Sequence, residues 1–130
     1  MLDFGFNRPA VVDGKLAGSA MTDERALVYA HLNFPDQRYC IVRDWIWVEF
    51  EMKEAGLKQF TQQGIYPVMI YAANVVHDGL GRWSPGSFVR TTALVSFRDG
   101  FIFQSRNTAY LLLGNGGRRV IEAEDTRTLH

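Results

Sequence analysis

The sequence has a single cysteine, Cys40, and only three lysines among its 14 basic residues. One cysteine excludes an internal disulfide framework, and an unpaired thiol is typical of a reducing compartment. The N-terminal residues include an acid at Asp3 and lack the apolar stretch of a secretory signal. No apolar run approaches the roughly 20 residues that a membrane-spanning helix needs. We therefore expect a cytoplasmic protein that does not enter a membrane.

Length and composition are those of one globular domain. The chain has 130 residues, of which 47% are hydrophobic and 13% aromatic. A chain of this size buries roughly two thirds of its unfolded surface, so it needs neither disulfides nor a metal to hold a core. A high aromatic content favours sheet surfaces. We predict a single α+β domain over residues 1–130 with no cofactor.

Charge is balanced overall but unevenly placed. Residues 82–119 contain six arginines and one acid, whereas residues 1–81 contain seven basic and ten acidic residues. Such a basic segment either binds an anion or pairs with the acidic flanks on folding, and pairing is the favoured interpretation. The excess of arginine over lysine suits bidentate contacts with phosphate or carboxylate, but a GC-rich genome produces the same ratio.

The N-terminal half carries signals for a hairpin and a helix. Asp13 and Gly14 form a pair that suits a type I′ turn between two short strands. Thr22 is a suitable N-cap for a helix to about Asn33, with acids in its first turn. The apolar face predicted for this helix consists of Leu27, Val28, His31 and Leu32.

The middle of the chain is ambiguous. Residues 39–42 predict a strand, and residues 45–52 alternate as a strand does. Helical spacing of Ile46, Phe50 and Leu57 leaves a helix open for the same segment. Residues 51–63 are the better helix, with Gly64 after its end.

Beyond residue 67 the pattern is that of a sheet. Residues 68–77 predict a buried strand, followed by a turn-rich loop over residues 78–86. Further strands are predicted over residues 88–97, 101–104, 108–113 and 118–122, each joined to the next by a short turn. Short turns allow only antiparallel neighbours. The predicted fold is therefore an antiparallel sheet of five or six strands, curled towards a half-open barrel, with two helices packed on one face.

Within the segment from Trp83 to Gly116 the chain reads Pro-Gly-Ser-Phe-Val-Arg-Thr-Thr and then Ser-Arg-Asn-Thr-Ala-Tyr-Leu-Leu-Leu-Gly-Asn-Gly. This C-terminal third resembles a family of short uncharacterised proteins from pseudomonads and related bacteria. The shared residues are those of turns and strands. The resemblance implies a bacterial cytosolic source and assigns no chemistry.

Residues that could carry catalysis are few. Cys40 and His77 could form a thiol nucleophile and its base, although cysteine in a strand is more often buried and inert. Glu49 and Glu51 could form a carboxylate pair, although a solvated strand face is the commoner interpretation. The glycine-rich stretches 79–82 and 114–119 lead into turns or strands and match no phosphate-binding loop. No metal-ligand spacing is present.

Arginines and aromatic residues of the predicted sheet give the leading hypothesis for function. Alternation along the strand places Arg90 on the opposite face of the sheet from Val89. Arg90 could share that face with aromatic rings. Protein interfaces are rich in such residues, and we predict a non-catalytic module that binds itself or another protein. The predicted surface consists of Trp83, Phe88, Arg90, Arg106, Tyr110 and Arg118.

Two other classes stay open. Rings and arginines on one face also bind single-stranded nucleic acid, which would involve Arg90, Arg98, Arg106, Arg118 and Arg119. A small enzyme built on Cys40 or His77 is the second alternative.

Overall fold

The computed structural model describes residues 7–122, which form two helices and nine strands. The helices are α1 (Asp23–Asn33) and α2 (Glu54–Gln62). The strands are β1 (Ala10–Val12), β2 (Lys15–Ala17), β3 (Tyr39–Glu51), β4 (Val68–Asp78), β5 (Val89–Arg90), β6 (Ser96–Arg98), β7 (Ile102–Gln104), β8 (Ala109–Leu112) and β9 (Asn115–Glu122). The α+β class is therefore confirmed.

The sheet is mixed, so the prediction of an antiparallel sheet of five or six strands is wrong in its detail. Strand β3 lies at its centre, with β4 antiparallel along one edge. Along the other edge β8 and then β9 run parallel to β3. The order continues from β9 to β2 and β1, and from β8 to β7 and β6. The ladders do not close into a barrel, because β5 pairs with β4 alone and β6 with β7 alone.

The segment 109–122 accounts for the parallel pairing. The sequence predicted a turn at residues 115–117, but β8 and β9 continue in one direction beside β3, with a kink at Gly114 (φ 69°). Gly116 serves close packing instead, since a Cβ there would lie 2.3 Å from the ring of Trp45. A glycine that admits a neighbouring ring has the same sequence signature as a turn glycine.

The segment 88–97 also differs from the single strand predicted for it. Strand β5 pairs with β4, whereas β6 pairs with β7. Between them the chain crosses from one strand to the other, and the backbone N–H of Leu94 donates to Val68 while that of Val95 donates to Gln104. Only the β6–β7–β8 part of the predicted meander is present.

The ambiguous segment 45–52 is a strand, because β3 continues to Glu51. The second helix consequently begins at Glu54, later than predicted. Local signals at the N-terminal end are confirmed: Asp13 and Gly14 both have positive φ in the β1–β2 turn. At the start of α1 the Thr22 hydroxyl accepts a hydrogen bond from the N–H of Arg25.

Both helices pack on the same face of β3. Tyr39 and Ile41 contact the α1 side, and Val48 and Phe50 contact the α2 side. These residues have opposite parity, so the strand must shift its alternation between them. Asp44, with φ of 55°, lies at the point of change.

The largest core cluster lies on the other face of the sheet, and it contains no residue from either helix. The cluster combines side chains from β2 to β8, with Trp45 and Trp47 among its most buried members. Because strands from both edges of the sheet contribute to one cluster, the sheet curls around it. None of the helices in the described range is long and apolar enough to cross a membrane.

Candidate interaction surface

Phe88 and Arg90 lie on the helix-bearing face of the sheet, on either side of the buried Val89. The Phe88 ring stands edge-on to the Tyr71 ring, with centroids 6.1 Å apart and planes at 81°. Arg90 pairs with Tyr71 in the β4–β5 ladder. The Phe88 side chain is 60% exposed although its ring is held in place. We call Tyr71, Phe88 and Arg90 the β5 patch.

Trp83 belongs to the loop that follows β4, and it is half-buried against the main core cluster. The guanidinium of its neighbour Arg82 lies 4.6 Å from the indole centroid. Arg82 also donates to both carboxylate oxygens of buried Asp78, at 3.0 and 2.8 Å, and to the Thr108 hydroxyl at 2.8 Å. The ion pair between Arg82 and the buried Asp78 carboxylate thus anchors the loop, and Trp83 is part of that anchor.

Tyr110 is buried in the core and cannot contact a partner directly. It pairs with Cys40 in the β3–β8 ladder, and Cys40 in turn pairs with Asp78. Burial, with the nearby Cys40 as the next cause, raises the pKa of Tyr110 to about 12. Burial and the Asp78 carboxylate likewise raise the pKa of Cys40 to about 12. Both groups are therefore protonated and shielded at neutral pH.

Cys40 and His77 do not form a nucleophile and base pair. Cys40 lies in the core cluster on the helix-free face of the sheet. The His77 ring lies 6.0 Å from the ring of Tyr39, which packs on the α1 side. The two side chains are on opposite faces, so no proton can pass directly between them.

Arg118 forms an ion pair with the buried Glu49. Its Nε and Nη2 each donate to a Glu49 oxygen at 3.0 Å. Arg8 donates to the same carboxylate from the other side, at 2.7 and 3.0 Å, and the Trp47 indole N–H donates at 2.9 Å. Burial alone would raise the pKa of Glu49, but the hydrogen bonds from both arginines outweigh it and hold the pKa at about 2.

Glu49 and Glu51, predicted as a possible carboxylate pair, lie in different environments. Glu49 is buried and saturated with donors, whereas Glu51 is exposed.

Arg106 is exposed at the end of α2, where it donates to the Gln63 carbonyl at 3.3 Å. Of the six residues of the predicted surface, only Phe88 and Arg90 share an exposed face, whereas Tyr110 belongs to the main core cluster and Trp83 packs against it. Within residues 7–122 no three histidine, cysteine or acidic side chains form a possible metal site.

Comparison with models of known protein families shows which family the chain is related to. A family model described as a domain of unknown function, DUF6957, matches residues 17–128. The chain belongs to this family. Neither the curated proteins nor the solved structures include a match.

The DUF6957 match extends far beyond the C-terminal third in which the resemblance was first noted. It includes α1, both large strands and the β5 patch. It begins after Arg8 and strand β1, so one of the two arginines on Glu49 lies outside the matched segment.

One exposed surface was missed by the sequence patterns. The helix face assigned to Leu27, Val28, His31 and Leu32 is turned to solvent, and the small Ala26 and Ala30 are buried instead. A groove of about 480 Å³ lies beside it, lined by Met21, Glu24, Arg25, Val28 and Tyr29. The two alanines four residues apart were the available signal, since small residues let a helix approach a sheet closely.

Proposed function

We propose that this DUF6957 chain is a non-catalytic module that binds a protein partner through the β5 patch. The observation that carries the proposal is the Phe88 side chain, whose ring contacts Tyr71 edge-on but is left 60% exposed. An aromatic ring with fixed orientation has little conformational entropy to lose on binding. Arg90 beside it adds a charged group of the type common at binding hot spots.

The enzyme alternative has little support among the described residues. The thiol of Cys40 is buried with a pKa of about 12, so the thiolate that attack requires is scarce at neutral pH. His77 lies on the other face of the sheet. The remaining candidate acid, Glu49, is fully engaged by two arginines and an indole.

Nucleic-acid binding is the weaker alternative because the arginines are dispersed. Arg118 is engaged by Glu49, and the Arg98 guanidinium lies 6.0 Å from the ring of Phe34. Arg106 donates to the Gln63 carbonyl at the end of α2. A single-stranded backbone would need several unpaired cations along one track.

The partner and its location complete the proposal. A single buried cysteine and the resemblance to pseudomonad-type proteins favour the cytoplasm of a bacterium. The partner is a cytoplasmic protein or a second copy of the chain that offers an apolar pocket and an acid to Phe88 and Arg90.

Comparative capture tests the proposal. The purified chain and its Phe88→Ala and Arg90→Ala variants are immobilised and exposed to a bacterial lysate, and the recovered partner is then titrated in purified form. We expect Phe88→Ala to weaken binding at least tenfold, because it removes the central ring. Val11→Ala, which alters an equally exposed side chain on β1, should bind as the wild type does.

Two results would contradict the proposal. One is a partner that Phe88→Ala and the wild type bind equally well. The other is tight binding of single-stranded DNA or RNA that weakens steeply as salt rises, which would indicate phosphate contacts instead.

A further inference from the structure

Helix α1 exposes apolar side chains on the face that points away from the sheet. Val28 is 59% and Leu32 78% exposed, and they are four residues apart, one turn along the helix. Ala26 and Ala30 occupy the opposite, buried side. A helix that is apolar on both sides is usually covered on both sides. No part of the chain within residues 7–122 covers this outer face.

The same face contains a ridge and a groove that complement each other. Leu32 protrudes near the C-terminal end of α1, and the groove lies near the N-terminal end, between Met21 and Tyr29. Two copies related by a twofold axis near Val28 would place each Leu32 in the groove of the other copy. Self-complementary surfaces of this kind are what a twofold interface requires.

Polar side chains along one flank of the helix agree with antiparallel pairing. Glu24 and His31 are seven residues apart, two helical turns, and so lie on the same flank. An axis near Val28 brings Glu24 of each copy beside His31 of the other. Antiparallel helices also place the positive end of one dipole near the negative end of the other. Asp23 is already engaged by Arg43 at 2.7 Å, which leaves Glu24 for the partner.

We infer that the outer face of α1 binds a second copy of this chain in an antiparallel pair centred on Val28. This inference rests on α1 and is independent of the β5 patch. A helix of 11 residues is about 16 Å long, and a pair of this size buries less than the roughly 1,600 Å² of a standard interface. The dimer is accordingly expected to be weak and to form only at high protein concentration.

Cysteine crosslinking tests the geometry. Val28→Cys places two thiols beside the axis, so we expect a disulfide-linked dimer under mild oxidation at high protein concentration. Leu32→Cys is the matched control, because its two thiols would be about 12 Å apart along the helices, beyond disulfide reach. The native thiol of Cys40 is buried, so the unmodified chain should stay uncrosslinked.

Crosslinking of both variants would indicate parallel pairing and overturn the arrangement. A dimer seen by sedimentation without crosslinking of Val28→Cys would place the second copy elsewhere. A monomer at millimolar concentration would overturn the inference entirely. Phe88→Ala should leave the crosslinking unchanged, so loss of partner binding at the β5 patch and loss of self-association remain separate results.

A charge exchange tests the flank contacts. His31→Glu places two acids together at each end of the pair and should weaken the dimer about threefold to tenfold in sedimentation equilibrium. The double variant Glu24→Lys with His31→Glu should restore it, since each introduced glutamate then faces an introduced lysine. Val11→Glu adds the same charge on β1 and should change nothing. Failure of the double variant to recover, with its helix content intact, would contradict the pairing.

Discussion

A carboxylate buried in a sheet must replace the hydrogen bonds that it loses with water, and Glu49 does so with donors from the protein. Two guanidinium groups and one indole N–H saturate its oxygens. Arg8 and Arg118 come from opposite ends of the sequence, 41 and 69 residues from Glu49. A single side chain therefore ties the N-terminal segment and β9 to the central strand.

Glu49 should make stability depend on acid. Its pKa is about 2 in the folded state, below the value of an unfolded glutamate, so its stabilisation is complete above about pH 5 and is lost as pH falls towards 2. Glu49→Gln should cost on the order of 2 kcal/mol at pH 7, after allowing for the solvent that screens the partly exposed arginines. Urea unfolding of both proteins at pH 7 and pH 3 measures the difference.

The variant should lose less stability between these two pH values than the wild type. Equal acid sensitivity of the two proteins would show that other carboxylates set the dependence. Arg118→Gln is a useful second variant, because it removes one donor and should shift the wild-type acid transition to higher pH.

At the scale of elements, β9 packs closely against β3 because Gly116 has no side chain. The Trp45 indole lies across the backbone of Gly116 and donates to the Leu113 carbonyl at 3.0 Å. Trp45 is thereby fixed at two points of the β8–β9 segment. The parallel pairing of that segment with β3 needs this close approach.

Gly116→Ala should disrupt that fit. The added Cβ would lie 2.3 Å from a ring carbon of a buried tryptophan, so the ring or the strand must move, at a cost of about 1–3 kcal/mol. Gly117→Ala is the matched control, since its nearest neighbour would be 4.0 Å away. Equal unfolding free energies of the two variants, measured in urea, would contradict the steric account.

Elements with local causes were predictable from the sequence, and those with distant causes were not. The Thr22 cap and the Asp13–Gly14 turn act within a few residues, so both could be identified without knowing the fold. Gly116 has its cause in Trp45, far away in sequence, and resembled a turn. The exposure of side chains was equally hard to predict. The sequence pattern placed Tyr110 and Arg118 on an exposed surface, but Tyr110 pairs with Cys40 of β3 and Arg118 forms an ion pair with Glu49 of β3.

For the whole molecule, β3 is the element through which all the others are connected. It pairs with β4, β8 and β9, both helices pack on one of its faces, and the main core cluster lies on the other. Neither half of the sheet has a core that excludes this strand. We therefore expect the described part of the chain to unfold as one cooperative unit.

Unfolding should be a single transition by different probes. Tryptophan fluorescence reports on the helix-free core, which contains Trp45 and Trp47 and packs against Trp83, whereas far-ultraviolet circular dichroism includes both helices on the opposite face. We expect their midpoints in urea to coincide, because loss of β3 removes the support of both faces. An earlier loss of the circular dichroism signal would show that the helices unfold as a separate unit.

The parallel pairing of β3 with β8 and β9 also bears on synthesis at the ribosome. Tyr39 pairs with Ala109, and Ile46 with Gly117, so the partners of the central strand are translated about 70 residues after it. Until β9 has left the ribosome, one long edge of β3 is open and its tryptophans lack their covering strand. The nascent chain must therefore keep apolar surface exposed until residues 109–122 have been made, and only then can the sheet around β3 be completed.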